Sequence, residues 1–267
     1  MGGDGVFAVL PAGRTTWAVA SVHGESGRLR ALHARLAARI TPLDNLVYLG
    51  NFLGRGDDVG GTVQELLLFR RALMATQTID DPGAIAYLRG RQEEMWHKLL
   101  QVQFAPDPRA VLEWMLAQGV GPTLTAYGGN ADEARRIPAM GAKGLSQWTN
   151  RLRASMRARD GHDQLMSVVR RAAFTVDQTL LLVSAGIDAA RPLSEQTDSF
   201  WWGGRGFDEI EAPYGGFRRV VRGYDYRRRG VWFKEWTASI DAGCGYDGPL
   251  VAAGFAADGA LIDTIEV

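Results

Sequence analysis

The chain has 267 residues, of which 46% are hydrophobic and 22% are charged, values typical of a globular protein that can bury one large α/β domain. Thirty basic and thirty acidic residues cancel, which excludes a bulk electrostatic field able to recruit nucleic acid or an anionic membrane. The single cysteine, Cys244, excludes an intrachain disulfide, and no apolar run is long enough to cross a bilayer, so we expect a cytoplasmic protein.

The first predicted elements are a buried strand and an amphipathic helix. The strand spans 15–22 and ends at His23 and Gly24. Apolar residues at helical spacing between 25 and 40 follow it, which indicates a helix lying on the sheet. This order places His23 at the carboxyl edge of a sheet, where α/β proteins bind their ligands.

Two more predicted strands end in polar turns. The apolar run 46–49 leads into the turn 50–56, which contains three glycines, Asn51 and Arg55. A predicted helix at 62–75 connects it to a third strand, at 84–88. The segment 89–93 that follows is also polar, so three neighbouring strand ends are expected to carry side chains capable of chemistry.

After residue 93, the predicted elements are first helices and then strands. Residues from about 94 to 173 have helical patterns interrupted by Pro and Gly, which predicts a helical cap over the sheet edge. A strand is predicted within 174–183, and antiparallel strands at 231–242 and 249–267. The tryptophans at 201 and 202 have two open interpretations, stacking on a ligand or packing in the core.

Five segments at these strand ends resemble, in order, the five signatures of the calcineurin-like metallophosphoesterases. The resemblance is to the bacterial branch of the serine/threonine protein phosphatases, and it covers nearly the whole chain. The corresponding segments are Ala20-Ser21-Val22-His23-Gly24, Gly50-Asn51-Phe52-Leu53-Gly54-Arg55-Gly56, Arg89-Gly90-Arg91-Gln92-Glu93, Ser184-Ala185-Gly186 and Arg222-Gly223-Tyr224. The resemblance implies a four-layer α/β/β/α sandwich with a helical cap, in one domain over 1–267 with its core at 14–93 and 174–267.

The residues at the family's catalytic positions depart from the family pattern. The resemblance places the ligands of two divalent metals, such as manganese, iron or zinc, at Ser21, His23, Asn51, Arg91, Ser184 and Tyr224. Only His23 is a strong ligand, and it is either a remaining ligand or a structural remnant. The family's general acid and its partner fall on Gln92 and Gly54, and a glutamine has no proton to give near neutral pH. We therefore expect no metal cofactor and no intact catalytic residue.

Arginines near the same positions suggest a different chemistry. The candidates for binding an anion are Arg55, Arg89, Arg91 and Arg222. Guanidinium groups make bidentate bonds to phosphate and stay charged, so they can supply positive charge that metals supply in the family. The alternative is that Arg91 pairs with an acid such as Glu93 or Glu94 and only plugs an empty site.

These observations lead to a prediction of function and two alternatives. The prediction is an inactive phosphatase relative that works as a protein-binding or regulatory module, with a phosphorylated group on the partner as a candidate ligand. One alternative is an active phosphoesterase with a non-standard site, and another is a structural subunit whose pocket is filled. Neither nucleic acid nor a membrane is an expected partner.

Overall fold

The computed structural model describes residues 5–203 and 206–267. Its strands are β1 (Phe7–Leu10), β2 (Thr16–Val19), β3 (Asn45–Tyr48), β4 (Ile85–Tyr87), β5 (Ala172–Thr175), β6 (Leu180–Val183), β7 (Arg219–Arg222), β8 (Trp232–Phe233), β9 (Thr237–Ser239), β10 (Val251–Phe255) and β11 (Leu261–Glu266). Its helices are α1 (Ser26–Leu36), α2 (Val59–Thr76), α3 (Arg91–Leu99), α4 (Pro108–Ala117), α5 (Gly121–Ala126), α6 (Ala131–Arg136), α7 (Gly141–Arg157), α8 (His162–Val168) and α9 (Ser199–Trp202).

The strands form two mixed sheets. One has the order β1-β5-β6-β7-β9-β8 and the other β11-β10-β2-β3-β4. The strands that precede the motif segments run parallel to their neighbours, with β2 beside β3, β3 beside β4 and β6 beside β7. Their carboxyl ends therefore lie together at one edge of each sheet. The predicted antiparallel ends of the chain are confirmed by the pairs β8–β9 and β10–β11.

One core joins the two sheets. Successive residues of a strand face opposite sides, and in β6 Leu180 and Leu182 belong to the core that also contains Trp17 of β2. The alternate residues of β6, Leu181 and Val183, pack in a second core. Because the first core contains inward residues of both sheets and leucines of α1 and α2, the sheets lie face to face with helices outside one of them.

The outer face of the six-stranded sheet is covered by less regular structure. Its core contains Phe200 and Trp201 of α9 and Phe207 of a short 3-10 turn. The layers are thus helices, sheet, sheet, and a thin layer of short helix and turns. This arrangement confirms the expected mixed α/β sandwich.

The helices α4 to α8 form the predicted cap region between strands β4 and β5. Polar side chains begin two of them, since Asp107 Oδ1 accepts from Ala110 N at the start of α4 and Asn130 Oδ1 accepts from Glu133 N at the start of α6. None of the helices within the described ranges is long and apolar enough to span a bilayer.

Strand β1 lies outside the core bounds expected from the sequence. It pairs in parallel with β5, from Phe7 beside Ala172 to Leu10 beside Thr175, and forms an edge of the six-stranded sheet. Strand β5 also starts at Ala172, two residues inside the expected cap. The run from Phe7 to Leu10 is too short to show its partner from sequence alone, because a strand pairing is a non-local contact.

Candidate functional site

The six positions that the resemblance assigns to metal ligands come together at one site. Asn51 Nδ2 donates to Ser21 Oγ at 3.1 Å, and Asn51 Oδ1 accepts from Gln92 N at 3.0 Å, which joins the loops after β2, β3 and β4. The other sheet is joined through backbone bonds. Ser21 N donates to Gly223 O at 3.1 Å, and Tyr224 N donates to Ser184 O at 2.9 Å.

Glu93 holds the loops after β3 and β4 in place. This carboxylate is 4% exposed and accepts from Asn51 N at 2.7 Å, Leu53 N at 3.0 Å and Gly90 N at 2.8 Å. Burial raises the pKa of the Glu93 carboxyl, and the backbone donors oppose the shift. Glu93 is therefore occupied by backbone groups and does not pair with Arg91.

His23 is a neutral histidine at the centre of the site. It is 2% exposed, and neither ring nitrogen has a partner in good hydrogen-bond geometry among the described residues. Burial, together with the positive charges of Arg55 and Arg91, lowers the pKa of His23 to about 3, and the Leu53 backbone opposes the shift. The imidazole is thus uncharged at neutral pH, between two guanidinium groups.

A tyrosine pair lies against His23. The rings of Tyr224 and Tyr246 each contact the imidazole edge to face with centroids 5.7 Å away. Their hydroxyl oxygens are 3.4 Å apart. Tyr224 stands at a family ligand position, whereas Tyr246 comes from the loop between β9 and β10.

Arg55 is held by packing and carries no ion pair within the described residues. Its guanidinium carbon lies 3.9 Å from the centre of the Tyr246 ring, a cation–π contact. Its backbone N–H donates to Gly119 O of the cap at 2.9 Å. Its buried Nε atom has no hydrogen-bond partner within residues 5–203 and 206–267. The charge of Arg55 is therefore not neutralised by any described carboxylate.

Arg91 likewise has no carboxylate partner in the part of the chain that the structure describes. Its Nη2 donates to Gln118 Oε1 at 2.6 Å, its Nε is buried without a partner, and its guanidinium carbon lies 5.2 Å from the Trp202 ring. Gln118 is a neutral amide at the end of α4, so it orients Arg91 without cancelling its charge.

The other two candidate arginines are ion-paired. Arg89 Nη1 lies 3.1 Å from Glu94 Oε2. Arg222 is 3% exposed, and its Nη2 lies 2.8 Å from Oδ2 of the buried Asp225, although the angle is not that of a hydrogen bond. The anion-binding candidates therefore divide into two with unneutralised charge, Arg55 and Arg91, and two with carboxylate partners.

Gln92 and Gly54 lie in direct contact. A side chain at Gly54 would collide with the Gln92 amide, and Gly54 also has a positive φ of 81°. The Gln92 amide donates to Gln118 O at 2.9 Å, while its Oε1 is buried and has no partner among the described residues. At the two positions that the resemblance assigns to a general-acid pair, a glutamine thus fills the space next to a glycine.

Left-handed backbone conformations concentrate at this site. Six non-glycine residues of the described chain have a positive φ, and four of them are His23 (54°), Asn51 (53°), Arg55 (51°) and Arg228 (50°). Such conformations are costly for residues with a side chain and are found most often at functional sites. The motif loops are therefore held in a strained arrangement.

A cleft of about 610 Å³ opens beside the motif loops. It is lined by residues from the loops after β4, β6 and β7 and from the segment around α9, among them Arg91, Ala185, Trp202, Asp208, Arg222 and Tyr226. The two tryptophans differ, since Trp201 is 4% exposed and packs in the core, whereas Trp202 lines the cleft. Packing in the core is therefore confirmed for Trp201, and stacking on a ligand stays a prediction for Trp202.

The sequence analysis did not predict Tyr246, Gln118 or the acidic residues near Arg222 as parts of the site. Tyr246 follows Gly243 and Gly245, and this glycine-rich loop is the sequence feature that could have indicated it. Asp225 and Asp241 are both buried, and Asp241 Oδ2 accepts from Asp225 N at 2.7 Å. Burial raises the pKa of the Asp241 carboxyl.

The residues present do not fit a pair of divalent metal ions. Such sites need carboxylates or several imidazoles, and the six positions offer one imidazole, one amide, three hydroxyl groups and a guanidinium. The described residues contain no group of three or more His, Cys, Asp or Glu side chains arranged to hold a metal. No reaction step can be derived through metals held by these side chains.

No protein-family model matches the chain, and no curated protein matches it significantly. Several solved structures are similar to it in fold. A crystal structure provisionally described as that of a diadenosine tetraphosphatase is 19% identical, with 97% of each chain covered and a TM-score of 0.55. A cold-active protein tyrosine phosphatase is 14% identical, with 96% of this chain and 80% of the other covered, at a TM-score of 0.50.

The chain has the metallophosphoesterase fold. At these identities the likeness shows the fold alone, and it carries no information about which reaction this chain performs.

Proposed function

We propose that the protein is an inactive relative of the bacterial serine/threonine protein phosphatases that binds a phosphate-type anion at the motif site. The observation that carries the proposal is the pair Arg55 and Arg91. Both guanidinium groups lie close enough to the buried His23 to lower its pKa, and neither has a carboxylate partner among the described residues.

Two guanidinium groups that have no carboxylate partner among the described residues favour an anionic ligand. Neither group loses its charge at physiological pH, and each can make two hydrogen bonds to phosphate oxygens. Bonds to a charged group contribute about 1.5–3 kcal/mol each, so two or three give micromolar to millimolar affinity after the cost of association.

The same site lacks the groups needed for hydrolysis. Gln92 cannot donate a proton to a leaving group, and its position against Gly54 leaves no room for the acid that pairs with a general-acid histidine in the family. The metal-ligand positions do not fit the ions that would generate a nucleophile. A fold that binds phosphate without these groups is suited to recognition.

In the cell, the protein would act as a binding or regulatory module. Its partner would be a protein, and a phosphoryl group on that protein would occupy the motif site. The open cleft beside Arg91, 610 Å³ in volume, provides space for the segment that carries the phosphoryl group.

Calorimetric titration of the purified protein with phosphate and sulfate tests the proposal. We expect saturable binding of both anions, with the affinity reduced about tenfold or more in Arg55→Gln and in Arg91→Gln. Arg109→Gln is the matched control, because Arg109 is exposed on α4 and has no ion pair among the described residues. No binding at about 10 mM anion, which corresponds to less than ~3 kcal/mol, would refute the proposal.

A further inference from the structure

Arg228 differs from the arginines on either side of it. Arg227 Nη1 lies 3.5 Å from Asp208, and Arg229 Nε lies 2.7 Å from Asp225. Arg228, between them, has no carboxylate partner or side-chain hydrogen bond within the described ranges and is exposed. The loop thus neutralises two of its three consecutive positive charges and leaves one free.

Arg228 and Arg55 contact the same aromatic ring. The guanidinium carbon of Arg228 lies 4.8 Å from the centre of the Tyr246 ring, and that of Arg55 lies 3.9 Å from it. Burial raises the pKa of the Tyr246 phenol, so the ring is neutral and does not balance either charge. The two like charges beside one ring repel each other, and the repulsion is relieved when anionic groups bind to them.

The backbone supports a defined position for Arg228. It has a φ of 50°, as unusual for an arginine as the φ of 51° at Arg55. Asp247, next to Tyr246, also has a positive φ, of 73°. Unusual backbone conformations at Arg228 and beside Tyr246 favour a defined position for the Arg228 side chain against the ring.

We propose that Arg228 and Tyr246 form a second anion subsite beside the motif site, so that the preferred ligand carries two linked anionic groups. This inference rests on the proposed function, in which Arg55 and Arg91 bind the first group, a phosphoryl group. The second group is either another phosphoryl group or a carboxylate attached next to the first. Tyr246 contacts the guanidinium groups of both subsites and so places the two subsites next to each other.

The test compares phosphate with pyrophosphate by calorimetry in four proteins: the unmodified protein, Arg228→Gln, Arg228→Lys and Arg109→Gln. We expect pyrophosphate to bind the unmodified protein about tenfold or more tightly than phosphate. In Arg228→Gln this preference should fall to about twofold or less, with phosphate affinity nearly unchanged. Arg228→Lys should keep part of the preference, and Arg109→Gln should keep all of it. Circular dichroism and thermal unfolding confirm that each variant is folded.

Different results separate the two proposals. Binding of phosphate without a preference for pyrophosphate would overturn the second subsite and leave the proposed function intact. An equal loss of affinity for both anions in Arg228→Gln would also overturn it, since that is the effect of a general electrostatic field. If neither anion binds the unmodified protein, both proposals fail.

Two peptides show whether the second anionic group belongs to a protein ligand or to a small diphosphate. We would compare phosphoserine followed by glutamate with phosphoserine followed by glutamine. An Arg228-dependent preference for the glutamate peptide supports a protein ligand. The same dependence with pyrophosphate alone supports a small diphosphate.

Discussion

The amide of Gln92 occupies the space that a side chain at Gly54 would need. Gly54 lies in the loop after β3, and Gln92 lies in the first turn of α3. The larger side chain at 92 is accommodated because position 54 has none. The two residues therefore form one structural unit.

Replacing Gly54 by alanine is expected to destabilise the protein by about 2–4 kcal/mol. The left-handed conformation contributes about 1–2 kcal/mol for a residue with a Cβ, and the collision with Gln92 contributes the rest. In a Gln92→Ala background the same substitution should cost only the conformational part. Urea unfolding of the single and double variants measures the coupling.

Gly13→Ala provides the control for this cycle. Gly13 has a positive φ of 72°, and no atom of the described residues lies within 4 Å of the position of its added Cβ. Gly13→Ala should lower the unfolding free energy by the same amount as Gly54→Ala does in the Gln92→Ala background. If Gly54→Ala lowers the unfolding free energy equally with and without Gln92, the two residues do not interact.

A carboxylate at position 118 should block the motif site. Gln118→Glu would place a negative charge beside Arg91 Nη2, where the amide oxygen now lies at 2.6 Å. We expect the affinity for phosphate to fall about tenfold or more, because the anion and the carboxylate compete for one guanidinium group. Gln118→Ala should leave the affinity within about threefold. Unchanged affinity in Gln118→Glu, measured by calorimetry, would remove Arg91 from the site.

His23 should make the protein less stable in acid. Its folded pKa of about 3 is below the ordinary value of 6.5, so the unfolded chain binds more protons between these values. The stability from a neutral His23 is complete above pH 6.5 and is lost as the pH falls toward 3, by at most about 1.4 kcal/mol per unit.

Unfolding free energies of the unmodified protein and His23→Asn at pH 7, 6, 5 and 4 check this expectation. Asparagine tolerates the positive φ, and the other histidines titrate equally in both proteins. As the pH falls, the unfolding free energy of the unmodified protein should decrease more than that of His23→Asn. A constant difference would mean that His23 titrates normally.

Purification without chelators should yield a protein without stoichiometric manganese, iron or zinc. The reason is that His23 alone among the six positions is a strong ligand. Turnover of aryl phosphates should be negligible even with added manganese, since general acid catalysis alone contributes about 10²–10⁴-fold. Elemental analysis and a phosphatase assay measure both quantities. Two metal equivalents per chain, or turnover abolished by His23→Ala, would instead support the active phosphoesterase.

The sequence was sufficient for the strands that precede the first three motif segments. Apolar runs and helical spacing are local properties, and they located β2, β3 and β4 to within a few residues and the cap as a helical region. The polar turns that end these strands then had to meet at one sheet edge, because parallel neighbours share their direction. Ser21, Asn51 and Gln92 do meet there, within hydrogen-bond distance.

Only the tertiary structure decided which charges at the site are free. Arg89, Arg91 and Arg222 were equivalent candidates in the sequence, but Glu94 and Asp225 neutralise two of them and the amide of Gln118 contacts the third. Tyr246 was absent from the predicted site altogether. These pairings join side chains from distant segments, and the folding of the loops determines them. The periodicity of apolar residues predicts the strands and helices that bring the loops together. It carries no information about side-chain contacts between distant segments.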